Sequence, residues 1–274
     1  MLGAILYGVR ARRLGPRLPR WRAACFAGGV LVIGFAVASP LDPVGEDGLF
    51  AAHMLQHVLI GDIAALLLVL GVTGPILRPA LALSWVQRLR FLAHPLVALP
   101  LWTGNLLFWH VPALYESALE SPPVHALEHL AFLTFGSLMW AAVIEPLPGP
   151  AWFGTGLKIL YVGGVRAVET LLGNILWFSG TVLYPAYAAT APLWGATALE
   201  DQVNAGTVMM VEGGLVTLVA FVVLFFRMAK ESEVRQALIE GGVDPAAARR
   251  AVRYGRGAAL AERHGVAIGG AGGG

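Results

Sequence analysis

The chain has 274 residues, 57% of them hydrophobic and only 13% charged, with a formal net charge of +2. That charged fraction is about half the ~25% usual in soluble domains, and a compact soluble fold could not hide so much apolar surface. Its single cysteine, Cys25, excludes an internal disulfide framework and any cysteine-rich metal site.

Crossing ~30 Å of hydrocarbon takes roughly 20 apolar residues. Six segments qualify in chain order, 21–39, 49–72, 95–115, 124–144, 157–184 and 203–227. Helix-terminating residues mark the junctions, among them Pro40, Pro75, Pro95, Pro122, Pro146 and Pro185. Residues 1–9 are apolar but too few to cross, and read as an interfacial anchor or as the end of a further helix. They do not resemble a cleaved signal peptide, because their basic cluster follows the apolar run instead of preceding it. The predicted fold is all-α, a polytopic transmembrane helix bundle of six full spans behind a short N-terminal apolar segment. Its parts are 1–22 (apolar start and basic cytoplasmic segment), 23–227 (the bundle) and 228–274 (a basic, partly disordered cytoplasmic tail).

Charge assigns each connection a side. Segment 10–22 holds six arginines, the 73–94 loop has Arg78, Arg88 and Arg90, Lys158 follows the 145–156 turn, and arginines recur after Arg227. The intervening loops carry only acidic charge: Asp42, Glu46 and Asp47, then Glu116 and Glu120, then Glu200 and Asp201. The alternation is unbroken and predicts a multi-pass protein of a bacterial inner membrane with a cytoplasmic C-terminus. In the tail, Asp244-Pro245 before AAARRAVR reads as an N-cap, an N1 proline and a short basic helix, whereas GVAIGGAGGG has too little to bury to order itself.

The histidines fall in a pattern. His53 and His57 form HMLQH, His125 and His129 form HALEH, and His110 closes the third span, all at outer span ends, while His94 lies at the opposite, cytoplasmic end. Spacing of i,i+4 puts each pair on one helix face, where two imidazoles can share a metal and suit zinc, copper, iron or nickel. Met54 and Glu128 add a thioether and a carboxylate. Other polar residues within spans are Asp62, Arg166, Glu169, Asn174 and Glu212; Arg166 and Glu169 are spaced to pair with each other. Met209 and Met210 lie deeper and read as packing or as a soft-metal step. Trp102, Trp109, Trp140, Trp152, Trp177 and Trp194 suit an interfacial belt.

HMLQH, WHVPALYESAL, HALEH with FLTFGSLMW, and DQVNAGTVMM together resemble the polytopic CtaG-like cytochrome c oxidase assembly factors of bacteria, over about Trp21 to Arg227. The resemblance implies seven spans, of which the first is mostly missing here, and a role in supplying copper to a terminal oxidase, with an oxidase subunit as partner. It carries His53, His57, His110, His125 and His129 over as metal ligands; Asp201, Gln202 and Met209 from the last motif join Met54, Glu128, Met210 and Glu212 as secondary or supporting candidates. Two further readings stand beside copper delivery. One is a haem-binding electron carrier with axial histidines; the other is a copper transporter using Glu212, Met209 and Met210. Nothing suggests nucleic acid, and no nucleophile–base pair or phosphate loop suggests an enzyme.

Overall fold

The computed structural model describes residues 2–188 and 195–268, and among these every regular element is helical. Five helices are long and apolar enough to cross a membrane: Arg20–Ala38, Phe50–Gly71, Pro122–Ile144, Thr155–Phe178 and Ala198–Glu240. The third expected span differs. Its helix, Pro95–Trp109, has 15 residues; it counts as a span only together with Ser84–Ala93, from which it bends by 77°. It stops short of 115 because Val111, held extended ahead of Pro112, cannot continue a helix. His110 occupies the resulting corner.

Three other expectations are revised. The N-terminal apolar segment does not end at its arginines but continues as the helix Leu2–Leu14. The helix of the last expected span, 203–227, is longer at both ends and runs from Ala198 to Glu240. Trp102, Trp109 and Trp140 are buried inside the protein rather than forming a belt; Trp152 and Trp177 are exposed, and Trp194 lies outside the described residues.

The chain divides into two compact units. The smaller comprises residues 148–163 and 216–274. There Asp244 caps the amides of Ala246 and Ala247 at 3.1 and 2.9 Å, with Pro245 in the first turn, as the sequence predicts. Leu238, Val243, Ala248 and Ala261 form its core, against which Val266 and Ile268 pack. Those two apolar side chains order the start of the glycine-rich end; residues 269–274 lie outside the described residues.

The larger unit, residues 1–147 and 164–215, contains all the candidate residues. Its helices meet where side chains are absent. A Cβ added to Gly136 would lie 1.9 Å from the carbonyl oxygen of Gly61, and one added to Gly206 would lie 2.7 Å from that of Gly173. Small residues let helix backbones approach in this way where lipid provides no hydrophobic drive. Gly61 sits in a π-helical stretch, Leu59–Ala64, that interrupts the Phe50–Gly71 helix. Such bulges are frequent at functional sites.

The Gly61–Gly136 crossing sets the spacing of the two histidine-bearing helices. Gly136→Ala is expected to destabilise the protein by about 1–3 kcal/mol, as overpacking against backbone does. Gly104→Ala, where an added Cβ meets nothing within 4 Å, should not destabilise it. Thermal unfolding in detergent checks both.

Candidate metal centre

The helix bearing His53 and His57 begins without a local cap: Leu49 is extended and no side chain of the preceding segment reaches the first turn. Asp201 supplies the cap from far along the chain, accepting from the amides of Phe50 at 2.6 Å and Ala51 at 3.0 Å. Four orphan donors begin every helix; here two are satisfied by one buried carboxylate. Gln56, on the same helix, donates to the carbonyl of Ala36 at 2.9 Å and to Asp42. The second pair stands on Pro122–Ile144, whose paired prolines occupy the first turn, where a missing amide hydrogen costs nothing.

The two faces meet. Nε2 of His53 and Nε2 of His57 are 2.8 Å apart. The ring centroids of His53 and His125 lie 5.1 Å apart, and those of His57 and His129 5.3 Å. One ligand atom from each of His53, His57, His125 and Glu128 can be chosen so that all lie within 4.8 Å of one another. All four residues are buried, His53 and Glu128 completely. His129 stacks on His125 at 4.1 Å but is only partly buried and stands outside that group of four.

Hydrogen bonds fix the chemistry of two of the rings. The Tyr187 hydroxyl donates to the carbonyl of Gly45 at 2.8 Å and lies 3.3 Å from Nδ1 of His53. Burial pushes the Tyr187 phenol above its ordinary range, so its proton stays in place. With that proton directed at Gly45, the phenol oxygen accepts from His53 Nδ1–H, and His53 Nε2 presents a lone pair to the group. His110 behaves similarly. Its Nδ1 donates to the carbonyl of Leu106 at 2.8 Å, which leaves a lone pair on Nε2. A backbone or hydroxyl partner on the second ring nitrogen is the usual support of a metal-binding imidazole.

Several buried polar atoms here have no hydrogen-bond partner: Nδ1 of His57, Nε2 of His110, His125 and His129, and both carboxylate oxygens of Glu128. The nearest basic group to Glu128 is His57, with Nε2 3.7 Å from Oε2. His125 turns its Nδ1 to the Glu46 carboxylate in a close contact.

The remaining candidates disperse. His110 stands across the Phe132 ring, at 6.4 Å between centroids, on a cavity of about 30 Å³ shared with His57, Met54, Met209 and Glu212. Met210 packs instead against Gly173. Gln202 holds a loop, accepting from the amide of Leu183 at 2.7 Å and donating to the carbonyls of Leu176 and Thr181. His94 turns Nδ1 to the amide of Leu96 at the start of its helix. Arg166 bonds the carbonyls of Met210 and Met209, at 2.5 and 3.4 Å, rather than pairing with Glu169. Asp62 accepts from the indole of Trp140 at 2.6 Å. Sequence reasoning missed Glu46, Tyr115, Tyr184 and Tyr187 as supports of the site. Tyr115 meets Tyr187 at 3.0 Å, and Tyr184 donates to the His110 carbonyl at 2.9 Å.

The family described as cytochrome c oxidase caa3 assembly factor (Caa3_CtaG) matches residues 5–231, and the chain belongs to that family. An uncharacterized protein of Mycobacterium leprae is 23% identical over 249 residues, covering 84% of this chain and 37% of its own length. Uncharacterized proteins of Mycobacterium bovis and Mycobacterium tuberculosis are each 24% identical over 239 residues, covering 80% of this chain and 36% of their own. The chain thus spans little more than a third of the length of these curated relatives. No solved structure matches.

Because Asp201 caps the HMLQH helix, Asp201→Ala should destabilise the protein by about 1–2 kcal/mol, with Asp201→Asn retaining part of the loss. Thermal unfolding of the two variants side by side measures the difference.

Proposed function

We propose that this member of the family is a non-catalytic, membrane-embedded assembly factor for a terminal cytochrome c oxidase. In this reading it holds copper at His53, His57, His125 and Glu128 on the outer side of the membrane and passes it to an oxidase subunit. The observation that carries the proposal is Glu128, fully buried, with no hydrogen-bond partner on either oxygen, among three buried imidazoles. A carboxylate taken out of water needs a compensating charge, and a divalent cation supplies it while engaging the neighbouring nitrogen lone pairs. Three imidazoles and a carboxylate suit several borderline metals, among which copper binds such donors most strongly. Family membership supports an oxidase as the destination, and copper is the metal that this destination and the donor set together favour.

The same group gives haem little support. A macrocycle between two axial imidazoles needs a wide slot, whereas these rings crowd one another with centroids 4.1 to 6.3 Å apart and the cavity beside them holds only about 30 Å³. Delivery needs a site that opens. All four of its members come from two crossing helices, and His125 is held at Nδ1 by Glu46, which is itself partly exposed. Movement of the segment bearing Glu46 would free that imidazole.

His53→Ala combined with His125→Ala is expected to remove most of the copper from protein purified in detergent, and oxidase activity in the host membrane should fall with it. Glu128→Gln should weaken copper binding about 10-fold or more, the scale on which residues supporting a metal act. Metal analysis beside an oxidase assay checks both; copper content and activity unchanged in the double variant would refute the proposal.

A further inference from the structure

We infer that the cavity beneath the histidine–glutamate group is a second, inner holding site for a soft monovalent cation. Its donors are Nε2 of His110 and the thioethers of Met54 and Met209. At about 30 Å³ the cavity has room for one ion or water and little more. The lone pair of His110 Nε2 is fixed by the bond from Nδ1 to Leu106, and this buried nitrogen has no partner in the protein. Met54 and Met209, both buried, line the same space. Thioethers and imidazole together favour cuprous over divalent ions, whereas the outer group offers nitrogen and oxygen only. The two sites therefore differ in softness.

His57 joins them. Its Nε2 faces His53 and Glu128 in the outer group, and its Nδ1, buried and unpartnered, belongs to a ring that lines the inner cavity. One imidazole thus borders both chambers, the arrangement expected where a cation steps between neighbouring sites. The far wall of the cavity contains Asp62, Glu169 and Glu212. Arg166, the nearby cation, is directed onto the Met209 and Met210 carbonyls, and its guanidinium and the Glu169 carboxylate both lie against Gly213, where an added Cβ would meet them at 2.5 and 2.9 Å.

The inference takes only the identity of the metal from the function proposed above, and its test separates the two. Full-length protein in detergent is loaded anaerobically with cuprous ion alone and studied by metal analysis and X-ray absorption. About two ions per chain are expected, with sulfur in the coordination shell. Met54→Leu with Met209→Leu, a volume-conserving change that cores tolerate, should halve the copper and abolish the sulfur signal. His53→Ala with His125→Ala should also halve the copper but leave sulfur in place. Wild-type protein without sulfur ligation, or sulfur persisting in the leucine variant, would overturn the inner site while leaving the outer one standing. Total copper undiminished by loss of His53 and His125, with sulfur ligation retained, would sustain the inner site and refute the outer.

Discussion

The two histidine-bearing helices can meet only because neither has a side chain at their crossing. Gly136 approaches the Gly61 carbonyl so closely that even a methyl group would collide with backbone. In a bilayer, helices gain little from burying apolar surface against each other, so packing must come from close approach. That approach brings HMLQH and HALEH face to face. Without it, each pair would present two imidazoles to a different neighbour, and the four ligand atoms could not lie within 4.8 Å of one another.

From this crossing follows an electrostatic demand. Glu128 and three imidazoles are enclosed where water cannot satisfy them, and buried polar groups without partners are costly. The surrounding residues supply support without quenching the site. Asp201 fixes the start of one helix, Tyr187 fixes the tautomer of His53, and Leu106 fixes that of His110. The protein thereby spends hydrogen bonds on orienting its ligand atoms and leaves the atoms themselves available. The donor chemistry changes from nitrogen and oxygen in the histidine–glutamate group to nitrogen and sulfur at the cavity shared by His57, Met54 and Met209.

Much of this was legible in the sequence. Long apolar runs bounded by proline located five spans to within a residue or two at most of their ends, and i,i+4 spacing placed each histidine pair on one face. The convergence of the two pairs also followed, because both lie near span ends on the same expected side. What the sequence could not disclose were relationships between distant positions. Nothing local marks Asp201 as the cap of a helix 151 residues earlier, and its place in the last motif suggested a supporting role beside the metal instead. Tyr187 and Glu46 lie in connections whose paths depend on the assembled bundle. His110, expected at the same span ends as the other histidines, stands at a corner made by Pro112 and lines the adjoining cavity, outside the group of four. Arg166 illustrates the same limit: three residues from Glu169, it satisfies its donors on carbonyls of another helix.

Electron paramagnetic resonance of the purified chain loaded with cupric ion tests the central claim most directly, because nitrogen couplings report which side chains hold the metal. Coordination by the outer group predicts couplings from about three imidazoles, with one lost on His125→Ala. A spectrum lacking imidazole nitrogen, or one that His53, His57 and His125 substitutions leave unchanged, would contradict it.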